Sequence, residues 1–140
     1  MNRLIVFVLF IVMYFGLSEA CAKNVVEIHN NLGPGQRLQS HCRYSIGAEK
    51  HDLGISYIKN GAYDEYSFPD EYSRTDRLVR VCTLRHGPNW MYHFEHLIVY
   101  RAARTRRCGQ YRAWYAKPDG IYTREDRALP NGFALKWAKK

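Results

Sequence analysis

From residue 24 onward the chain reads as short runs in which apolar and polar side chains alternate, each run closed by Gly, Pro, Asn or Asp. Successive side chains of an extended strand point to opposite faces, so this alternation predicts strands with a buried face. The runs are Asn24–His29, Gln36–Tyr44, Leu53–Ile58, Ala62–Phe68, Leu78–Arg85, Met91–Ala102, Tyr111–Lys117, Gly120–Thr123 and Phe133–Trp137. They amount to about eight short strands, and helical periodicity is nearly absent. In the Leu78 run, Leu78, Arg80, Cys82 and Leu84 share one face, with Val79, Val81 and Thr83 on the other. Strict alternation in the Met91 run sets Tyr92, Phe94, His96, Ile98 and Tyr100 against Met91, His93, Glu95, Leu97, Val99 and Arg101.

Strands with apolar faces need a second layer, so the pattern predicts an all-β fold, an antiparallel β-sandwich, with a barrel as the second architecture. Asn30–Gly35 reads as a tight turn, Asp52-Leu-Gly54 as the start of a strand after a turn, and Asp119-Gly120 as a hairpin. A simple meander is expected from Leu78 to Lys117.

A different pattern opens the chain. Arg3 precedes an uncharged apolar run from Leu4 to Phe15 that breaks at Gly16 and reaches Glu19. A membrane span takes about 20 apolar residues, so this is read as a signal peptide and the protein as secreted, without a stable membrane anchor. Small residues suit cleavage before Cys21 or before Lys23, and the second is preferred, giving a signal peptide over 1–22 and one domain over 23–140. A mature chain of about 118 to 120 residues is the size of one domain.

Composition adds a charge of +8. The leader carries one Arg and one Glu, so its loss leaves the balance unchanged. Such a chain favours acidic partners without choosing among them. Cys42, Cys82 and Cys108 are disulfide candidates in an oxidising compartment, with Cys21 a fourth if it survives cleavage. In a meander Cys82 and Cys108 lie on the order of 15 to 20 Å apart, whereas a bridge spans up to about 7 Å between Cα atoms. The expected bridge is therefore Cys42 with Cys108, leaving Cys82 as a buried thiol.

The order of motifs is more specific. Val25-Val-Glu-Ile-His-Asn30 with Leu32-Gly-Pro-Gly35, Leu38-Gln-Ser-His-Cys42, Asp52-Leu-Gly54, Tyr66-Ser-Phe68, Val81-Cys82, Phe94-Glu-His-Leu-Ile-Val-Tyr100, Arg107-Cys108 and Trp114-Tyr-Ala-Lys-Pro-Asp-Gly-Ile-Tyr122 follow one another behind the leader. In this order and spacing the chain resembles the plant self-incompatibility S1 family, the S-protein homologues. The family commonly carries a cysteine where this chain has Arg112. The resemblance implies a secreted recognition or signalling protein, with rejection of self pollen as one role.

Three function classes are weighed. An enzyme, for instance a ribonuclease, would draw on His29, His41, His51, His86, His93 and His96, yet scattered histidines form such triples by accident. In a regular strand His93 and His96 point to opposite faces and cannot easily share a metal. No catalytic residue, metal or cofactor is expected, nor a nucleic-acid partner. A cationic binder of acidic wall polysaccharide or a membrane surface would rest on Arg101-Ala-Ala-Arg-Thr-Arg-Arg107. The reading adopted is a non-enzymatic ligand for a cell-surface receptor, with partner contacts expected at Asp70, Glu71, Arg74, Asp76, Arg77, Arg85, Asn89, Arg104 and Arg106.

Overall fold

The alternating runs do become strands, and their apolar faces meet. The structure, a computed structural model, describes residues 2–6, 21–70 and 76–140. Its strands are β1 (Asn24–Asn30), β2 (Arg37–Ile46), β3 (Glu49–Lys59), β4 (Tyr63–Phe68), β5 (Leu78–His86), β6 (Tyr92–Arg101), β7 (Tyr111–Lys117), β8 (Gly120–Arg124), β9 (Gly132–Leu135) and β10 (Ala138–Lys139). They form two five-stranded sheets, ordered β4-β1-β7-β8-β9 and β10-β6-β5-β2-β3, called here the β1 sheet and the β2 sheet. Val26 and Ile28 of β1, Leu38 of β2, Leu84 of β5 and Ile121 of β8 are fully buried in the core. Each such side chain contributes about 1.5–3 kcal/mol.

The expected meander does not form. β5 and β6 pair antiparallel, but the chain then crosses to the other sheet, where β7 runs parallel to β1. Alternation tells a strand which face to bury and leaves its neighbour open. The segment between β6 and β7 carries the chain from one sheet to the other, and the long connection that a parallel pair requires is the whole run of strands between β1 and β7.

The disulfides follow the pairing and correct the expected bridge. Cys42 and Cys82 face each other directly across β2 and β5 and are bonded, with Cα atoms 4.0 Å apart. Cys108 bonds Cys21, with Cα atoms 5.0 Å apart. Cys42 therefore does not reach Cys108, and Cys82 is not a thiol. The Cys21–Cys108 bridge staples the chain just ahead of the parallel β1–β7 pair. Gly109 N–H donates to the Ala22 carbonyl (2.9 Å) and Val25 N–H to that of Gln110 (2.8 Å), continuing that staple.

Bulges alter the expected faces. Asp52-Leu-Gly54 does not begin a strand: it lies inside β3, where pairing shifts between His41–Ile55 and Arg43–Asp52. Gly54 adopts φ +82, a left-handed conformation that glycine accommodates, and donates its N–H to Asp52 Oδ1 (2.7 Å). In β6, Glu95 and His96 together oppose Thr83, so Phe94 and Leu97 pair with Leu84 and Cys82 and both turn inward. At the β7–β8 hairpin the turn is Pro118-Asp119. Gly120 opens β8, where a Cβ would stand 2.4 Å from the Leu135 carbonyl oxygen, so close approach of β9 requires glycine there.

Candidate recognition surface

The expected contact residues fall into separate groups. Asp70, Asp76, Arg77 and the segment 101–108 share one end of the sandwich, where Ala102 N–H donates to the Leu78 carbonyl (2.9 Å). Asn89 lies at the opposite end, beyond nine residues of β5, or roughly 30 Å of extended chain. It is exposed in the turn Pro88–Trp90, where Asn89 and Trp90 both have positive φ. Arg85 sits on the outer face of the β2 sheet, 3.3 Å from both Glu95 carboxylate oxygens. Glu71 and Arg74 lie outside the described residues.

Asp70, expected to face a partner, is only 6% exposed. Its carboxylate accepts from Asn24 Nδ2 (2.7 Å), from the Tyr100 hydroxyl and from Arg107 N–H (3.1 Å). It thereby joins β1, β6 and the arginine-rich loop. Burial, then the bond to Asp70, pushes the Tyr100 phenol up to about 12. The arginine cluster divides as well. Arg107 Nη2 donates to the Arg101 carbonyl (2.9 Å) and the Tyr100 hydroxyl (3.4 Å), so Arg107 is built into the fold. Arg104 and Arg106 are exposed.

A feature that strand-by-strand reading misses lies on the outer face of the β1 sheet. Register sets one ring from each strand in a single row, Tyr63, His29, Tyr115, Tyr122 and Phe133. His29 stacks between Tyr63 and Tyr115 at centroid distances of 4.6 and 4.4 Å. Below it Glu27 accepts from the Tyr111 hydroxyl (2.7 Å) and pairs with His29 Nε2 (2.8 Å). Burial raises the pKa of Glu27, but these hydrogen bonds outweigh it and hold the carboxyl below its ordinary value. Arg124 donates to the Tyr111 hydroxyl (3.2 Å) and lies over the Tyr115 ring. The two-residue spacing of Glu27 and His29 in β1 is visible in the sequence; that Tyr111 and Tyr115 of β7 lie alongside them is not.

The outer face of the β2 sheet is more open. His41 meets Asp52 at 2.9 Å, His93 meets Glu95 at 3.1 Å, and Arg43 Nη2 approaches His96 Nδ1 at 3.5 Å. The bulge at Glu95–His96 breaks the alternation that would separate His93 from His96, and His96 joins Arg43 on this outer face. Hydrogen bonds from Gly54 and His41 hold Asp52 below its ordinary pKa. Ile55 and Tyr57 are about half exposed beside these charges, at 55% and 49%. Among the described residues no group of three or more His, Cys, Asp or Glu side chains is arranged to hold a metal ion, and no helix is long and apolar enough to cross a membrane.

Comparison with known proteins agrees with this architecture. Residues 25–137 match the family model for plant self-incompatibility protein S1. S-protein homolog 14 of Arabidopsis thaliana is 38% identical over 144 residues, covering 99% of both chains. S-protein homolog 25 of the same plant is 39% identical over 142 residues with the same coverage. A solved structure of SPH (self-incompatibility protein homologue) proteins, described as a widespread family of small, highly stable, secreted plant proteins, superposes with a TM-score of 0.63 at 26% identity. The match covers 85% of this chain and 97% of that one. With a stapled two-sheet sandwich, the motif order of its strands and near full-length relatives, the chain belongs to the plant self-incompatibility protein S1 family.

Proposed function

We propose that the protein is secreted and acts, without catalysis, as a recognition ligand for a cell-surface receptor, read through the loops at the end where β5 begins and β6 finishes. The observation that carries this reading is Asp70. One buried carboxylate ties the loop after β4 to β1, to β6 and to the loop before β7, so the neighbouring exposed residues Asp76, Arg104 and Arg106 are displayed on a fixed base. A fixed display lowers the ordering cost of binding. In the secreted chain the leader is cut before Cys21, because cutting before Lys23 would discard both the cysteine bonded to Cys108 and the Ala22 carbonyl held by Gly109. Rejection of self pollen is one response such a ligand serves, and stigma-specific expression is the pattern that would match it.

Replacing residues 70–77 with the corresponding loop of a relative, keeping aspartate at position 70, is expected to abolish or redirect binding to receptor-bearing cells while circular dichroism stays β-rich. Charge reversal at Arg104 and Arg106 should slow association several-fold at low salt and much less at physiological salt, because long-range charge acts mainly on encounter. A loop exchange that leaves binding intact would end this reading. Intact mass of the secreted protein checks the leader: a chain beginning at Cys21 with two disulfides is expected, and one beginning at Lys23 contradicts the cut.

A further inference from the structure

The outer face of the β2 sheet carries a groove of about 360 Å³ near the end of the sheet where β2 turns into β3. Register defines its floor and walls. Lys50, Ser45, Val79 and Arg101 lie in one row across β3, β2, β5 and β6, and Asp52, Arg43, Val81 and Ile98 in the next. Val79 and Val81 form an aliphatic floor, with Arg43, Lys50, Asp52 and His96 around it.

The carboxylates of this face already have partners. Asp52 is bonded by His41 and by Gly54 N–H, and Glu95 by Arg85 and His93. Among the described residues no carboxylate makes an ion pair with Arg43, Lys50 or Arg101. Arg43 stands across from Asp52, whose carboxyl its charge helps hold below the ordinary value, and donates from Nη2 to His96 Nδ1 at 3.5 Å. Arg43 and Lys50 beside an apolar floor, with Asp52 already held by His41 and Gly54, present a place for an anionic group attached to a hydrocarbon frame.

From this we infer that the groove binds an acidic oligosaccharide, with a uronate carboxylate on Arg43 and the C–H face of a sugar ring on Val79 and Val81. Lys50 and Arg101 stand three strand spacings apart, about 14 Å. An isolated phosphate or carboxylate cannot reach both, whereas a chain bearing a carboxylate on successive rings can. A nucleic acid fits less well, because unpaired bases are held by stacking on aromatic faces and the two rings of the lining, Tyr44 and His51, already stack on each other at 4.6 Å. The groove lies at the same end of the sandwich as the loops assigned to a receptor but on the outer face of the β2 sheet, and separate variants of the two sets of residues let either assignment fail alone.

The test titrates the folded, secreted protein with a size-defined, de-esterified oligogalacturonide, using calorimetry and amide chemical shifts. Saturable binding is expected, with shifts at Arg43, Ser45, Val79 and Val81. The Arg43→Gln/Lys50→Gln variant should bind at least about tenfold more weakly, the scale of losing charge-assisted hydrogen bonds. The Arg104→Gln/Arg106→Gln variant removes the same charge and should lose less than about threefold if charge alone is involved. Fully methyl-esterified oligomer should not bind, and inorganic phosphate should not displace the acid form. Equal losses in both double variants, shifts confined to residues 102–108, or equally tight binding of the ester would overturn the site. So would displacement by phosphate, or a single-stranded RNA bound as tightly in the same groove. Both variants are checked for an unchanged thermal midpoint, and Arg43→Lys/Lys50→Arg, which keeps the charge, should retain most of the binding.

Discussion

The outer faces of the two sheets carry similar residues and use them differently. On the β1 sheet, Glu27, His29, Tyr111, Tyr115 and Arg124 satisfy one another, and Glu27 is only 8% exposed. On the β2 sheet the acids are equally engaged, but Arg43 and Lys50 line a groove over Val79 and Val81 with no carboxylate in ion-pair contact. A charge closed into a network with rings adds to the fold. A charge that the fold leaves open is available to something outside the molecule.

The largest test of this contrast concerns what holds each sheet. Cys42–Cys82 locks β2 to β5 beneath the groove, whereas Cys21–Cys108 locks the start of the β1–β7 pair. Replacing Cys42 and Cys82 together with alanine should lower unfolding free energy by about 4 kcal/mol on chain-entropy grounds, read in a denaturant titration. Replacing Cys21 and Cys108 should be comparable and, in addition, should speed hydrogen exchange at Val25 and Gly109, whose amides that staple orders.

A single-residue comparison is smaller and sharper. Glu27→Ala leaves the Tyr111 hydroxyl and the His29 ring without their acceptor and should cost about 2–3 kcal/mol, while Arg43→Gln should stay within about 0.5 kcal/mol. Glu27 also has a pH signature. Its folded pKa lies below the ordinary 4.5, so its contribution is complete above that value and is lost as pH falls through the depressed folded pKa. Glu27→Gln should remove that part of the acid sensitivity. If Arg43→Gln destabilises as much as Glu27→Ala, the two faces are not different in kind.

A buried histidine provides the smallest of these tests. Burial lowers the pKa of His86 below the ordinary 6.5, and its ring packs against Tyr92 and Trp137. The unfolded chain takes up that proton first, so stability should decline as pH falls below 6.5. His86→Phe should flatten the decline between about pH 6.5 and 5 while Glu27→Gln leaves this upper window unchanged. An identical pH profile in His86→Phe and the parent would remove His86 from the account.

Much of the strand content is legible because alternation is a local property. Leu78, Arg80, Cys82 and Leu84 turn inward as their spacing requires, and Arg80 does so by laying its guanidinium 3.8 Å over the Phe68 ring. Motif residues are legible for the same reason. Asn30, at the end of the Val25–Asn30 motif, is fully buried and bonds the Gln36 and Ile58 carbonyls and the Leu32 amide, so one side chain closes the turn and fastens β3. Family membership follows from such positions, since each satisfies a local backbone need.

Alternation cannot register an inserted residue or name a neighbour. The bulge at Glu95–His96 carries Phe94 and Leu97 to the same face, and no single strand announces it. The parallel β1–β7 pair defeats the meander, and with it the bridge expected between Cys42 and Cys108. Asp70 reads as a loop charge until three donors from distant segments surround it. The amino-acid sequence by itself determined the strands, most of their inward faces and the family, because those depend on side chains a few positions apart. Strand neighbours, disulfide partners, the ring row and the open cationic groove were decided only by tertiary structure, because each depends on which distant backbone lies alongside.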